Sequence, residues 1–343
     1  MFGRMMNNYY YGKSGKGDFR KEDMPSNRRQ LFTDTLRTRL SALCRINLMY
    51  MLIFLPTIIV MLISFTQFLS STSNLLVIQE NDYAGYVELV TANEGQTQIS
   101  EEQFNEIKNS DIDYGALAES ILFRMLIWLV PCLAITGPCT AGLCYVTRNW
   151  ARDEHAFIWS DFKDAVKENW KVSLPLSIIT GILPAALYAG YDFYGEKAAE
   201  SFIWLVPMIL VGMIGFIWSF SITYMHPMAV TYDLKLKDVI SNSVKLGIAR
   251  LPMSVGIRLL HCVPLLLVFL IGELFGIDMM ICLMILTGYY LLIGFALSRF
   301  VTASYTNAVF DRFINTKIEG AKVNQGLNPK DDDEDDDEEE TEE

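Results

Sequence analysis

The chain has 343 residues, 51% of them apolar, which is a high share for a water-soluble protein, and its formal net charge is −12. Residues 331–343 alone carry twelve of the 40 acidic side chains, so the rest of the chain has 28 acidic and 28 basic residues and is neutral overall. The composition therefore argues against a soluble globular protein, and we expect no nucleic-acid partner.

Six long apolar segments divide the chain. They are residues 46–69, 122–147, 172–191, 202–226, 253–274 and 279–297. An α-helix needs about 20 residues to cross the hydrocarbon core of a bilayer, and only helices satisfy the backbone of such segments in lipid. The sequence predicts an all-α membrane protein with about six transmembrane helices, in a membrane domain at residues 31–315.

Basic residues are distributed unevenly between these segments. Lys and Arg number ten in residues 1–45, five in 148–171, four in 233–250 and four beyond residue 300. The other connections hold one basic residue or none. Because basic loops stay in the cytoplasm, we predict a multi-pass protein of the cell membrane with both termini cytoplasmic.

Both ends of the chain are predicted to be disordered. Residues 1–30 are predicted to be a disordered basic cytoplasmic arm, whose charges favour the anionic inner leaflet. Residues 316–343 are predicted to be a disordered acidic cytoplasmic tail, since a run of like charges repels itself.

An acidic loop at residues 70–118 separates the first two predicted spans. Within it, residues 85–92 are compatible with a strand, and Ser100 followed by Gln103 predicts a helix that begins with a capping box. The loop lacks the ligand spacing of an EF-hand, so a partly structured cap is favoured over a Ca²⁺ site.

Two amphipathic segments repeat on the predicted cytoplasmic side. The first, at about residues 160–172, has an apolar stripe of Phe162, Val166 and Trp170; the second, at about residues 236–250, has a stripe of Ile240, Val244 and Ile248. Each precedes a proline and a span, so the repeated unit is span, amphipathic helix, span.

These helices have two uses that the sequence leaves open. They can lie at the headgroups or cover the inner ends of the spans as a collar. Alternatively, they form a docking surface for another protein, in which the outward charges Lys167 and Lys171 contact the partner.

Charged residues inside the apolar segments are few. Arg258 and His261 are three residues apart and share a helix face. Arg258 can extend to the basic side while His261 bonds a neighbouring carbonyl, or the two can line a polar pathway. Arg299 follows the last apolar segment and is expected to face the membrane interface.

A further motif gives the chain a resemblance to a known family. The residues that carry it are Gly137, Pro138, Thr140, Ala141 and Tyr145, followed by the Phe162-Lys163 and Asn169-Trp170-Lys171 positions and by Asn47 in the first span. In these residues the chain resembles the YesL-like bacterial integral membrane proteins, a domain of unknown function. The resemblance implies a cell-membrane protein often encoded beside genes for carbohydrate uptake, and it implies no established activity.

Catalytic motifs do not occur in the sequence. The three histidines form no HExxH, no GxSxG is present, and the six cysteines form no CxxC pair, so we expect neither an enzyme nor a cofactor. We predict an accessory or regulatory component associated with carbohydrate transport, whose partners are the lipid bilayer and a transporter permease or other membrane protein. The alternatives are an independent small-solute transporter or channel and, third, a membrane-embedded enzyme.

Overall fold

The computed structural model describes residues 24–92, 98–110 and 113–328, and these residues form helices joined by turns, with no strand among them. In chain order the helices are α1 Arg28–Glu80, α2 Tyr83–Ala92, α3 Glu101–Asn109, α4 Tyr114–Ala151, α5 Ser160–Glu200, α6 Leu205–Thr231, α7 Leu236–Ala249, α8 Leu251–Phe275, α9 Met279–Tyr289 and α10 Phe295–Phe313. The predicted arm up to residue 23 and the tail from residue 329 lie outside the described residues.

Among the described residues, six helical stretches are long and apolar enough to cross a membrane, which confirms the predicted number of spans. They contain α1, α4, α5, α6 with the 3₁₀ turn Phe202–Trp204 before it, α8, and the stretch formed by α9 and α10. A π-helical turn, Tyr290–Gly294, joins α9 to α10, so the sixth span runs on well past the predicted end at residue 297.

The two amphipathic segments are built differently. The first is the beginning of α5, which passes through Pro175 without interruption into the third span. The second is a separate helix, α7, which ends where Arg250 leaves the helical conformation, and Pro252 lies in the first turn of α8. A proline is tolerated in a first turn because its missing N–H has no partner there in any case.

The described chain divides into two compact units. The first consists of the described parts of Met1–Ile53, Ile135–Ser177 and Gly212–Glu343, and the second of Phe54–Ala134 and Ile178–Val211. The core of the first unit includes fully buried side chains of α5, α6, α7 and α10, namely Leu176, Tyr224, Met228, Val239 and Phe310.

The acidic loop, in the second unit, packs around a small aromatic centre. Tyr86 and Val90 of α2 are buried with Phe104 of α3, and the Tyr86 and Phe104 rings are 5.2 Å apart. The expected strand at residues 85–92 is therefore wrong, because helical spacing brings Tyr86 and Val90 onto one face against Phe104. The capping box of Ser100 and Gln103 is confirmed, with both reciprocal hydrogen bonds present.

The described part of the predicted tail is also ordered near α10. Arg28, at the first residue of α1, donates to Asp311 at 2.9 Å and also to Asn324, while the Asn328 amide donates to the Pro25 carbonyl at 3.0 Å. Helix α1 thus begins inside the segment assigned to the arm, and residues 316–328 are held by contacts that sequence composition does not reveal.

Candidate functional site

Two glycines of α4, Gly137 of the family motif and the nearby Gly142, allow α4 and α5 to approach closely. A Cβ atom on Gly137 would lie 2.4 Å from Ser177 Oγ and 2.6 Å from the Ser173 backbone oxygen. One on Gly142 would lie 2.9 Å from the Phe162 side chain. Because Phe162 and Ser173 both belong to α5, this part of the motif serves helix packing.

Thr140 adds a polar link from the same motif to the first span. Its hydroxyl donates to the Thr136 carbonyl at 2.8 Å and accepts from the Tyr50 hydroxyl at 2.8 Å. Thr140 is buried beside Ala141, which is fully buried. The buried hydroxyls are therefore satisfied within the protein, as burial in an apolar environment requires.

Asn47 holds the π-helical turn of the sixth span. The side chain is fully buried; its Nδ2 donates to the Tyr290 and Leu291 carbonyls at 2.9 and 2.8 Å, and its Oδ1 accepts from the Ala296 amide at 2.9 Å. A π turn leaves main-chain groups without their α-helical partners, and Asn47 supplies three replacements. The sequence pointed to Asn47 only through the family resemblance.

A cluster of basic side chains lies where α8 contacts α10. His261 Nε2 donates to the Ser298 carbonyl at 3.1 Å and is 3.3 Å from Thr302 Oγ1. The sequence predicts that the adjacent Arg299 faces the membrane interface. In the structure Arg299 lies within α10, in electrostatic range of His261 and Arg258. The predicted Arg258 and His261 pair is thus joined by a third basic side chain.

Polar contacts near the ends of α4, α6 and α10 join these helices to one another. Arg148 Nη1 donates to the Val230 carbonyl at 2.7 Å and its guanidinium lies over the Tyr145 ring, 4.9 Å from the centroid. The Tyr232 hydroxyl donates to Asn315 Oδ1 at 2.7 Å. Burial and the nearby Asp311 raise the pKa of Tyr232, so its hydroxyl stays protonated and remains a donor at neutral pH.

The two predicted apolar stripes do not coincide with the buried faces. On α5, Phe162 is buried and Val166 half-buried, but Trp170 is 47% exposed. On α7, Ile240 and Val244 are half-buried and Ile248 is 54% exposed. The residues that are buried on these segments are Phe162, Ala165 and Ser173 on α5 and Val239, Ser243 and Gly247 on α7. The prediction that Trp170 packs as part of a collar is therefore wrong.

The exposed side of α5 carries Trp170 together with charged groups of both signs. The exposed side chains around it are Asp164, Lys167, Glu168 and Lys171.

Within residues 24–92, 98–110 and 113–328, no group of three metal-ligating side chains is positioned to hold a metal ion.

The helices define an all-α protein with six candidate membrane-spanning segments. Residues 120–191 match a family described as "Protein of unknown function, DUF624". The chain is also similar to the uncharacterized protein YesV of Bacillus subtilis (strain 168), with 25% identity over 127 residues, which are 37% of this chain and 60% of the relative. The two similarities agree with the resemblance to the YesL-like family, and each covers only part of the chain. No solved structure matches the chain.

Proposed function

We propose that the protein is an accessory or regulatory component of a transport system in the cell membrane, with both termini in the cytoplasm and no enzymatic activity of its own. The docking surface is the exposed side of α5 around Trp170. The partner is a transporter permease or another membrane protein. The association with carbohydrate uptake rests on the family resemblance alone.

The exposed Trp170 is the observation that carries this proposal. A tryptophan offers a large apolar area with little conformational entropy to lose, and it is enriched at the centres of protein interfaces. Here the ring lies in a helical segment where Lys167 and Lys171 are exposed one turn apart on the same side. An apolar centre with a charged rim is the arrangement that a specific protein contact requires.

A second candidate function, an independent small-solute transporter, is favoured by the basic cluster inside the spans and by the π turn of the sixth span. Transporters that use broken helices unwind them at proline or glycine near the bilayer centre. The inner prolines Pro56 in α1, Pro227 in α6 and Pro264 in α8 lie in uninterrupted helices. Continuous helices support the accessory role over this alternative.

The docking surface is tested by reversing two charges. The tagged variant with Lys167→Glu and Lys171→Glu should lose at least about tenfold of the copurifying membrane protein, since a tenfold loss needs only about 1.4 kcal/mol and the reversal replaces two attractions with repulsions. Its melting temperature in detergent should stay that of the wild type, because both side chains are exposed. The measurement is quantitative mass spectrometry of the purified complex together with a thermal melt.

The matched control reverses Lys317 and Lys322, which are exposed beyond α10 on the same predicted side of the membrane. This variant changes the net charge equally and should keep the partner. If both variants retain the same partner at wild-type levels, or both lose it, the α5 docking surface is refuted.

A further inference from the structure

Two arginines lie inside the membrane-spanning segments without a counter-charge. Arg258 and Arg299 are both half-buried, and in the described part of the chain neither forms an ion pair. The buried Nε atom of Arg258 has no hydrogen-bond partner. Burying a charged arginine in a span is energetically costly, so an unpaired, partly buried guanidinium needs an explanation.

The hydrogen bond of His261 places Arg258 and Arg299 beside the same contact between α8 and α10. His261, one turn beyond Arg258 on α8, hydrogen-bonds the carbonyl of Ser298, the residue next to Arg299. The two arginines are also in electrostatic range of each other, so each makes the other more costly to bury. Two like charges held this way are stabilised by an anion that contacts both.

Long stretches of α4, α6, α8 and α10 offer no such anion. Residues 251–272 of α8 and 295–310 of α10 contain no Asp or Glu, and neither do residues 135–151 of α4 or 205–231 of α6. The nearest carboxylates along the two helices are Glu273, fifteen residues beyond Arg258, and Asp311, twelve residues beyond Arg299 and bound to Arg28. At 1.5 Å per residue, both are about 18 Å or more away along the helix axis.

We propose that Arg258 and Arg299 together bind one phosphate-type oxyanion at the contact between α8 and α10. The planar guanidinium presents paired donors that match phosphate, which explains arginine at both positions. Arg258 lies seven residues after the start of α8, about 10 Å along the helix, and the neighbouring Leu259 is 60% exposed. Both arginines are only half-buried, so part of each side chain is accessible, and the oxyanion is either an anionic lipid headgroup or a free phosphate.

The test uses the full chain in lipid discs. The first arm compares discs of phosphatidylcholine with discs that also contain phosphatidylglycerol; the second adds inorganic phosphate to phosphatidylcholine discs at constant ionic strength. The anionic lipid should raise the wild-type melting temperature by about 5 °C, as expected for a ligand well above its dissociation constant. A rise in the phosphate arm alone assigns the site to a free oxyanion.

The variant R258Q/R299Q should lose the rise, whereas the control R37Q/R124Q, which removes two exposed arginines, should keep it. In phosphatidylcholine discs without added inorganic phosphate, R258Q/R299Q should melt at or above the wild-type temperature, because the variant removes two uncompensated neighbouring charges. A purely structural role for the arginines would instead lower the melting temperature under every condition. The proposal is overturned if neither arm raises the melting temperature of the wild type or if R258Q/R299Q shows the same rise. It is also overturned if R258Q/R299Q fails to fold in phosphatidylcholine discs without added inorganic phosphate.

Discussion

At the scale of single residues, the sixth span depends on one asparagine. Asn47 replaces the main-chain partners that the π turn of Tyr290–Gly294 removes, and no other residue type of its size offers two donors and an acceptor in one plane. The π turn in turn precedes α10, which carries Arg299. Asn47 therefore positions the segment that contains the proposed oxyanion site.

Replacing Asn47 by alanine should destabilise the protein by about 3 kcal/mol, since it removes three buried hydrogen bonds of about 1 kcal/mol each. The measurement is a thermal melt in detergent. The control is Leu48→Ala at the adjacent residue, which is 46% exposed and should cost under about 1 kcal/mol. Equal melting temperatures for the two variants would contradict a role of Asn47 in holding the π turn.

The sixth span extends further along the chain than its sequence predicts. The fall in hydropathy predicts that the sixth span ends at residue 297. The helix continues beyond this residue, and the hydroxyl groups of Thr302 and Thr306 donate to carbonyls four residues earlier, at 2.9 Å each, so their polarity is satisfied within the helix. Arg299 consequently lies inside a helix that composition alone ends too early.

At the scale of helices, the six spans could be predicted because length and apolar composition suffice for them, whereas the buried faces of α5 and α7 could not. The predicted stripes advance by four residues each time, for example from Phe162 to Val166 to Trp170. Each such step rotates by about 40° around a helix of 3.6 residues per turn. On α7 the buried residues Val239, Ser243 and Gly247 also advance by four, but they lie one position before the predicted stripe, which is about 100° around the helix. On α5 the buried residues are Phe162, Ala165 and Ser173.

The packing of α4 on α5 gives a prediction at the same scale. Gly137→Ala should destabilise the protein by about 1–3 kcal/mol, because the new methyl group would overlap Ser177 and the immobile Ser173 backbone oxygen. A melt in detergent measures the effect.

The matched control is Gly212→Ala in α6, where an added Cβ meets no atom within 4 Å. This variant should be neutral or slightly stabilising, since alanine favours a helix over glycine. A Gly137→Ala protein as stable as Gly212→Ala would show that the motif glycine is not needed for close helix packing.

At the scale of the whole molecule, the six candidate spans among the described residues predict that both ends of the chain lie on one side of the membrane, and the distribution of Lys and Arg predicts that this side is the cytoplasm. The docking proposal depends on this orientation. Helix α7 and the first part of α5 must be cytoplasmic to meet a cytoplasmic face of a partner, and the acidic loop must then be outside.

The most direct test of this orientation is labelling of single cysteines in intact cells. In a background without the six native cysteines, Glu102→Cys in the acidic loop and Lys237→Cys on α7 are suitable because both positions are exposed. A maleimide that does not cross membranes should label Glu102→Cys in intact cells and Lys237→Cys only after the cells are permeabilised. Labelling of Lys237→Cys from outside intact cells would contradict the orientation and the docking surface that depends on it.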